Sequence, residues 1–179
     1  VSRLGELDEQ YRGQLRTVYS TVEALEEHVR EADLIIGAVL IPGASAPKLI
    51  TAEMLADVKP GTVMVDVAID QGGCFETSRA TTHADPTYVV DGVVHYCVAN
   101  MPGVVARTAT MALTNATLPY IMRLASDEAG SLLLEDRHLA AGLNIVHGQL
   151  THRAVADALG QTWTEPCQIL RNSLHLKSA

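Results

Sequence analysis

The stretch VDVAIDQGGCFE, Val65–Glu76, is a largely apolar run that leads into Asp70 and two adjacent glycines. A strand of this kind hands a carboxylate to a loop whose backbone can turn sharply, which is how open α/β sheets build sites at their carboxyl edge. Asp70 is therefore the first candidate for chemistry. The strand is read from Thr62 to Ile69. Before it, ADLIIGAVL (Ala32 to Leu40) is apolar without alternation, as expected of a parallel strand covered on both faces. After it, Val93 to Val98 supplies one more strand and runs into Asn100-Met101-Pro102-Gly103.

Helical patterns separate these strands. Leu4, Leu7 and Tyr11 mark a helix closed by Gly13, and Leu15 to Tyr19 then reads as a short strand. Ser20 with Glu23 makes a capping box for a helix that carries Val22, Leu25 and Val29 on one face and ends near Glu31. Thr51 to Val58 is a short helix with Met54, Leu55 and Val58 inward. Alternating strands and helices imply right-handed βα units in a parallel sheet, so the class is α/β. The pattern changes around Gly103 to Arg107, giving domains of residues 1–106 and 107–179. The second opens with a long helix capped by Thr108, with Met111, Leu118, Ile121, Met122 and Ala125 along one side and a kink at Pro119. Thr151 to Leu159 forms another helix, stopped by Gly160, and the tail from Arg171 to Ala179 shows no pattern.

Composition narrows the function classes. A 179-residue chain that is 47% hydrophobic and 19% charged supports a folded core, and disorder is confined to the ends. The net charge of -8, from 21 acidic and 13 basic residues with no basic run, argues against nucleic acid or an anionic membrane as the main partner. Three cysteines without C-x-x-C spacing suit a reduced, cytoplasmic compartment. The longest apolar run, Leu34 to Ile41, falls short of the ~20 residues a membrane helix needs. The seven histidines are scattered and none has a partner at ligand spacing, so no metal site is expected.

Three strand ends carry candidate site residues: Val39 and Leu40 before IPGASAP, Asp70 before the glycines, and Asn100-Met101 before Pro102-Gly103. Side by side, their loops would meet at one ligand-binding crevice. Glycine and proline at strand ends also serve as plain turn formers. Asp70 has an equally structural alternative, capping the next helix or pairing with Arg79 or Arg107. No glycines show the G-x-G-x-x-G spacing of a dinucleotide phosphate loop.

Four motifs in order, ADLIIGAVLIPGASAPKLIT, KPGTVMVDVAIDQGGCFETSRATTH, YCVANMPG and MALTNATLPY, resemble the carboxyl half of bacterial NAD-dependent alanine dehydrogenases, from about Val1 to Pro166. The NAD-binding subunits of proton-translocating transhydrogenases are similar too, but typically carry glutamine and asparagine where this chain has AIDQGG, so Asp70 discriminates in favour of alanine dehydrogenase. A truncated relic without activity is the third reading. The resemblance implies a partial Rossmann-type sheet followed by a helical part of the substrate domain. It implies Ser20, Val39, Leu40, Val67, Val98, Asn100 and Met101 as neighbours of NAD, Arg3 near its adenosine ribose, and Asp70 as the catalytic carboxylate. The implied reaction converts L-alanine and NAD to pyruvate, ammonia and NADH, in a homo-oligomer that is often a hexamer. The family's substrate-binding arginine and lysine, its catalytic histidine and its phosphate loop belong to the amino-terminal half and have no positional equivalent here. With strand order 3-2-1-4-5-6, a third strand at Leu15 would stand apart from the rest by roughly 14 Å, three inter-strand spacings. The expectation is that the missing half is supplied by another segment, or that the isolated chain is marginal or rearranged.

Overall fold

In a computed structural model, residues 2–126 and 129–177 are described. The chain divides into two compact units, Val1–Val39 with Ala46–Ala99, and Leu40–Ser45 with Asn100–Ala179.

The first unit opens with α1 (Ser2–Tyr11), closed as expected by Gly13 in the left-handed region at φ 73°. The segment from Leu15 to Tyr19 is not a strand: it is irregular, and Leu15, Val18 and Tyr19 are exposed. Its apolar pattern had no described neighbour to pair with, so the proposed gap in the sheet does not arise. Helix α2 (Val22–Glu31) is capped by Thr21, whose hydroxyl accepts from the Ala24 amide, rather than by Ser20. Strand β1 (Leu34–Gly37) is shorter than read and covered on one face only: Leu34 is 56% and Ile36 60% exposed. Among the described residues nothing covers that side. Helix α3 (Ala52–Leu55) is capped by Thr51 and turns Leu55 and Val58 into the core.

Strand β2 (Val63–Asp66) stops three residues before the expected Ile69. The reason is Asp66 itself. Its carboxylate accepts from the Ala68 amide at 3.0 Å, folding the chain into a 3-10 turn over Val67–Gln71. Two strands follow, β3 (Thr87–Val90) and β4 (Val93–Tyr96), joined by Asp91 at φ 49° and Gly92 at φ 79°, the pair of positive angles a tight hairpin requires. β3 lies in a stretch that had read as a polar loop. The sheet order is β1-β2-β4-β3, with β1, β2 and β4 parallel and β3 antiparallel at the edge.

Register puts Ile35, Met64 and His95 in one row, with Tyr88 opposite His95, and Gly37 beside Asp66 in the next. That face is the core, built from Met64, Val93, Phe75, Leu55, Val58, Ile50 and Val29. A side chain at Gly37 would meet Cys74 Sγ and stand 2.7 Å from Phe75 Cζ. Glycine there lets Cys74 and Phe75 close directly onto the sheet. Burying Asp66 completely is costly unless its lone pairs are used, and they are: it also accepts from the amides of Cys74 (2.8 Å) and Phe75 (3.4 Å), from the Ser78 hydroxyl and from the Cys74 thiol.

In the second unit a 3-10 turn, Met101–Val105, leads into α4 (Ala106–Leu124), which continues through Pro119. The cap position is Val105, not Thr108. None of its residues is buried, and Met111, Leu118, Ile121 and Met122 are all exposed instead of lining a core. Helices α5 (Ala129–Glu135) and α6 (Arg137–Ala140) follow, then a hairpin of β5 (Ile145–Val146) and β6 (Gln149–Leu150) turning on His147 and Gly148. Asp136 caps α6 and pairs with Arg123 at 3.0 Å, and the amide of Leu139 and then Arg123 hold its carboxyl below the usual range. Helix α7 (Arg153–Leu159) ends at Gly160, as read, and α8 (Pro166–Lys177) takes up most of the supposedly patternless tail. The last two residues of that tail lie outside the described residues. Among the described helices none is long and apolar enough to cross a membrane.

Two outcomes follow from this core. Phe75 is 2% exposed, so Phe75→Ala should cost about 3–5 kcal/mol in urea unfolding, whereas Val89→Thr on the open face should cost well under about 1 kcal/mol. Burial first, then the charge and hydrogen bond of Asp66, push the Cys74 thiol up from 9.0 to about 11. The folded value exceeds the unfolded one, so this contribution is present below pH 9 and is lost as pH rises towards 11. The urea midpoint should fall across that window and fall less in Cys74→Ala. Burial likewise raises Tyr88 to about 12, so the difference between the two proteins is the quantity to read.

Candidate active site

Because β1, β2 and β4 are parallel neighbours, their carboxyl ends share one edge of the sheet. In the first unit this edge carries Val39, the Val67–Gln71 turn, Gly72, Gly73 and Val98. Asp70 sits in the turn, exposed. Its carboxylate makes no hydrogen bond or ion pair among the described residues. Two of the structural alternatives for it have other occupants. Capping belongs to Asp66, and the Arg79 guanidinium lies over the Tyr88 ring, 3.9 Å from its centroid.

The turn is held from both sides. Gly72 and Gly73 have φ of 89° and 77°, and the Gly73 position would put a side chain 2.7 Å from both Asp66 Oδ2 and Ser78 Cβ, so only glycine fits there. Their amides turn back to Ala68 and Ile69 carbonyls. On the other side the segment after Ser45 runs alongside. The Ala46 amide donates to the Gln71 carbonyl (3.0 Å), Lys48 Nζ donates to the carbonyls of Gly72 (2.6 Å) and Gly73 (2.8 Å), and the Leu49 amide donates to the Cys74 carbonyl (2.7 Å). Glu76 closes this zip through its amide to Ile50 and its carboxylate to the Ala52 amide.

Behind the edge lies a buried polar cluster. Tyr88 stacks on His95 with centroids 4.9 Å apart, its hydroxyl donates to the Thr77 carbonyl and accepts from the Arg79 amide, and Cys97 Sγ lies 3.5 Å from the same hydroxyl. His95 Nδ1 must donate to the Val93 carbonyl, which leaves Nε2 to accept from Thr77. These groups satisfy one another and fix the loop that brings Ser78 to Asp66.

The other residues singled out in the sequence are distributed unevenly. Val39 packs partly against the core, while Val67 is 49% exposed beside Asp70 in the chain. Val98 is fully buried, main chain included, so it presents no surface at this edge. Ser20 lines a cavity of about 210 Å³ with Val18, Tyr19, Leu25 and His28. Arg3 lies on α1, paired with Glu6 at 2.8 Å. Leu40, Asn100 and Met101 belong to the second unit, where Leu40 is exposed and Asn100 takes a left-handed conformation at φ 57°. Two residues escaped the sequence reading. Asp66 was hidden inside an apolar run, although an acidic residue two positions before a backbone amide is the signal of a side-chain turn. Lys48 was visible only as part of a loop motif.

Comparison with known proteins gives this geometry its context. Residues 1–153 match the family described as Alanine dehydrogenase/PNT, C-terminal domain. The chain is 65% identical over 170 residues to an alanine dehydrogenase of Halomonas elongata and 50% identical over 170 residues to one of Mycolicibacterium smegmatis, covering 95% of this chain and 46% of the relative in both cases. It thus spans about half the length of the curated relatives it matches. Among solved structures, an L-alanine dehydrogenase superposes with a TM-score of 0.74 at 47% identity, covering 89% of this chain and 44% of the other. A transhydrogenase from Sinorhizobium meliloti gives 0.61 at 27% identity, covering 83% and 40%. The α/β sheet, the ordered glycine turn and these matches together identify the chain as a member of the alanine dehydrogenase/PNT carboxyl-terminal domain family.

Proposed function

We propose that this chain supplies the nicotinamide side of an alanine dehydrogenase active site, with Asp70 as the catalytic carboxylate of the reversible conversion of L-alanine to pyruvate and ammonia. The observation that carries the proposal is the contrast within one turn: the backbone around Asp70 is tied down on both sides, yet its carboxylate is exposed and has no partner among the described residues. A group held in place but left unsatisfied is available to substrate.

The residues at this edge fit the nicotinamide end of the cofactor. Val67 offers an exposed apolar surface beside a carboxylate, and Val39 lies at the end of the neighbouring strand. They do not include a glycine-rich phosphate loop, so the reading gives this chain no hold on the pyrophosphate. Ser20, Leu40, Val98, Asn100, Met101 and, towards the adenosine ribose, Arg3 are the further NAD neighbours that resemblance to the family suggests. NAD, when bound, supplies the hydride acceptor. Asp70 favours the positive charge that develops as alanine becomes an iminium. At ~4 Å, opposite unit charges interact by about 4 kcal/mol in a surface-like dielectric. The same carboxylate orients the water that adds to the imine carbon. In this reading residues 1–106 belong to the NAD-binding domain and 107–179 to the substrate domain. By resemblance to the family, the substrate-binding arginine and lysine and the partner histidine belong to the amino-terminal half of the enzyme, which works as a homo-oligomer.

The test is a complete enzyme made by joining the amino-terminal part of the Halomonas elongata relative to this chain. It should oxidise NADH in the presence of pyruvate and ammonia. Asp70→Asn should lower turnover by at least roughly 10²-fold, in the range for loss of a general acid-base group, while NADH fluorescence titration shows retained binding. An assembled, NADH-binding chimera without alanine dehydrogenase activity would overturn the proposal.

A further inference from the structure

We infer that Lys48 is a positioning residue for Asp70, acting through the backbone of the glycine turn. The inference rests on the reading of Asp70 given above. Asp70 is followed directly by Gln71 and then by two glycines, the residues with the greatest backbone freedom, so the direction of its carboxylate depends on how that turn is restrained. The four carbonyls from Gln71 to Cys74 are each taken by the segment from Ala46 to Ile50. The outer two bonds are backbone to backbone, as in a short parallel pairing. The inner two, from Gly72 and Gly73, fall to a single side chain.

That side chain is well matched to the task. An ammonium has three donors on one atom, so Lys48 Nζ holds both carbonyls at once, at 2.6 and 2.8 Å, with charge-assisted bonds. It makes no ion pair among the described residues, so its charge is committed to the turn. Asp66 and Ser78 hold Gly73 from the buried side, and the van der Waals limit at the Gly73 Cα leaves no slack there. The exposed side has no packing to replace Lys48 if it is removed. A turn released on that side keeps its fold but loses the fixed direction of Asp70. Misplacement by about 1 Å is enough to slow a reaction by roughly 10²-fold.

The test uses the complete enzyme described above. Lys48→Met should reduce kcat roughly 10- to 100-fold while KM for NADH and pyruvate stays within about threefold, because ground-state binding is untouched. Lys48→Arg, which also presents several donors, should recover most of the loss. In the double variant Lys48→Met with Asp70→Asn, turnover should be no lower than in Asp70→Asn alone, the signature of one residue acting through the other. Lys48→Met turnover within twofold of the parent, or equal and additive losses in the double variant, would overturn the positioning role while leaving Asp70 in place. Full activity in Asp70→Asn would instead remove the reading on which the inference stands. Should Lys48→Met fail to assemble, Lys48→Ala, which also removes every donor, carries the same comparison.

Discussion

A carboxylate taken out of water must find donors or give up its charge, and the arrangement of the first unit is the solution that Asp66 finds. It lies at the end of β2 with no exposure, and it reaches forward to Ala68 and across to Cys74, Phe75 and Ser78. Each bond has a topological effect. The one to Ala68 ends the strand and starts the 3-10 turn. Those to Cys74 and Phe75 bring the chain back under the turn, and the one to Ser78 fastens the next loop. Bonds to a charged group contribute about 1.5–3 kcal/mol each, and leaving a charge buried and unpaired costs more, so these segments form together or not at all.

Two glycines are consequences of the same constraint. Gly73 has to pass within side-chain distance of Asp66 and Ser78, and Gly37 has to let Cys74 and Phe75 lie flat against β1. Neither is there for flexibility. Both are close-approach positions, and they let a loop pack on the end of a sheet at nearly core density. The Tyr88–His95 stack and the contact of Cys97 with Tyr88 extend this ordering to the far edge, so an antiparallel strand finishes a sheet whose other pairings are parallel.

Much of this was legible in the sequence, and the misses share causes. Helices α2, α3 and α7 announced themselves by periodicity and by the residues that stop them, and β1, β2 and β4 by apolar runs. The run from Thr62 to Ile69 misled because Val67, Ala68 and Ile69 are as suited to a buried turn as to a strand, and periodicity cannot separate the two over so few residues. β3 was missed although Asp91-Gly92 between TYVV and VVHY is a strong hairpin signal. Leu15 to Tyr19 and the apolar positions of α4 have the composition of packed elements, but packing depends on a partner surface, which no local pattern encodes. Asp70 stood out as a candidate because a lone carboxylate before glycines is conspicuous. Lys48 did not, since its bond to Gly72 joins residues 24 positions apart in the chain.

Asp66 and Asp70 are the same residue type four positions apart, and their environments separate what they can do. Asp66 is saturated: every accessible lone pair is committed to the fold, so it has nothing to offer a substrate and cannot move without dismantling the turn. Asp70 has the opposite surroundings, exposed to solvent on a backbone that others hold still. Catalytic groups need both availability and fixed position, and no single side chain supplies both for itself. Division of labour between the two carboxylates resolves that conflict. The buried one is committed to geometry, and the exposed one is left available for the catalytic role proposed for it. Lys48 binds carbonyls of the turn and makes no ion pair with Asp70, whose carboxylate stays unpaired among the described residues.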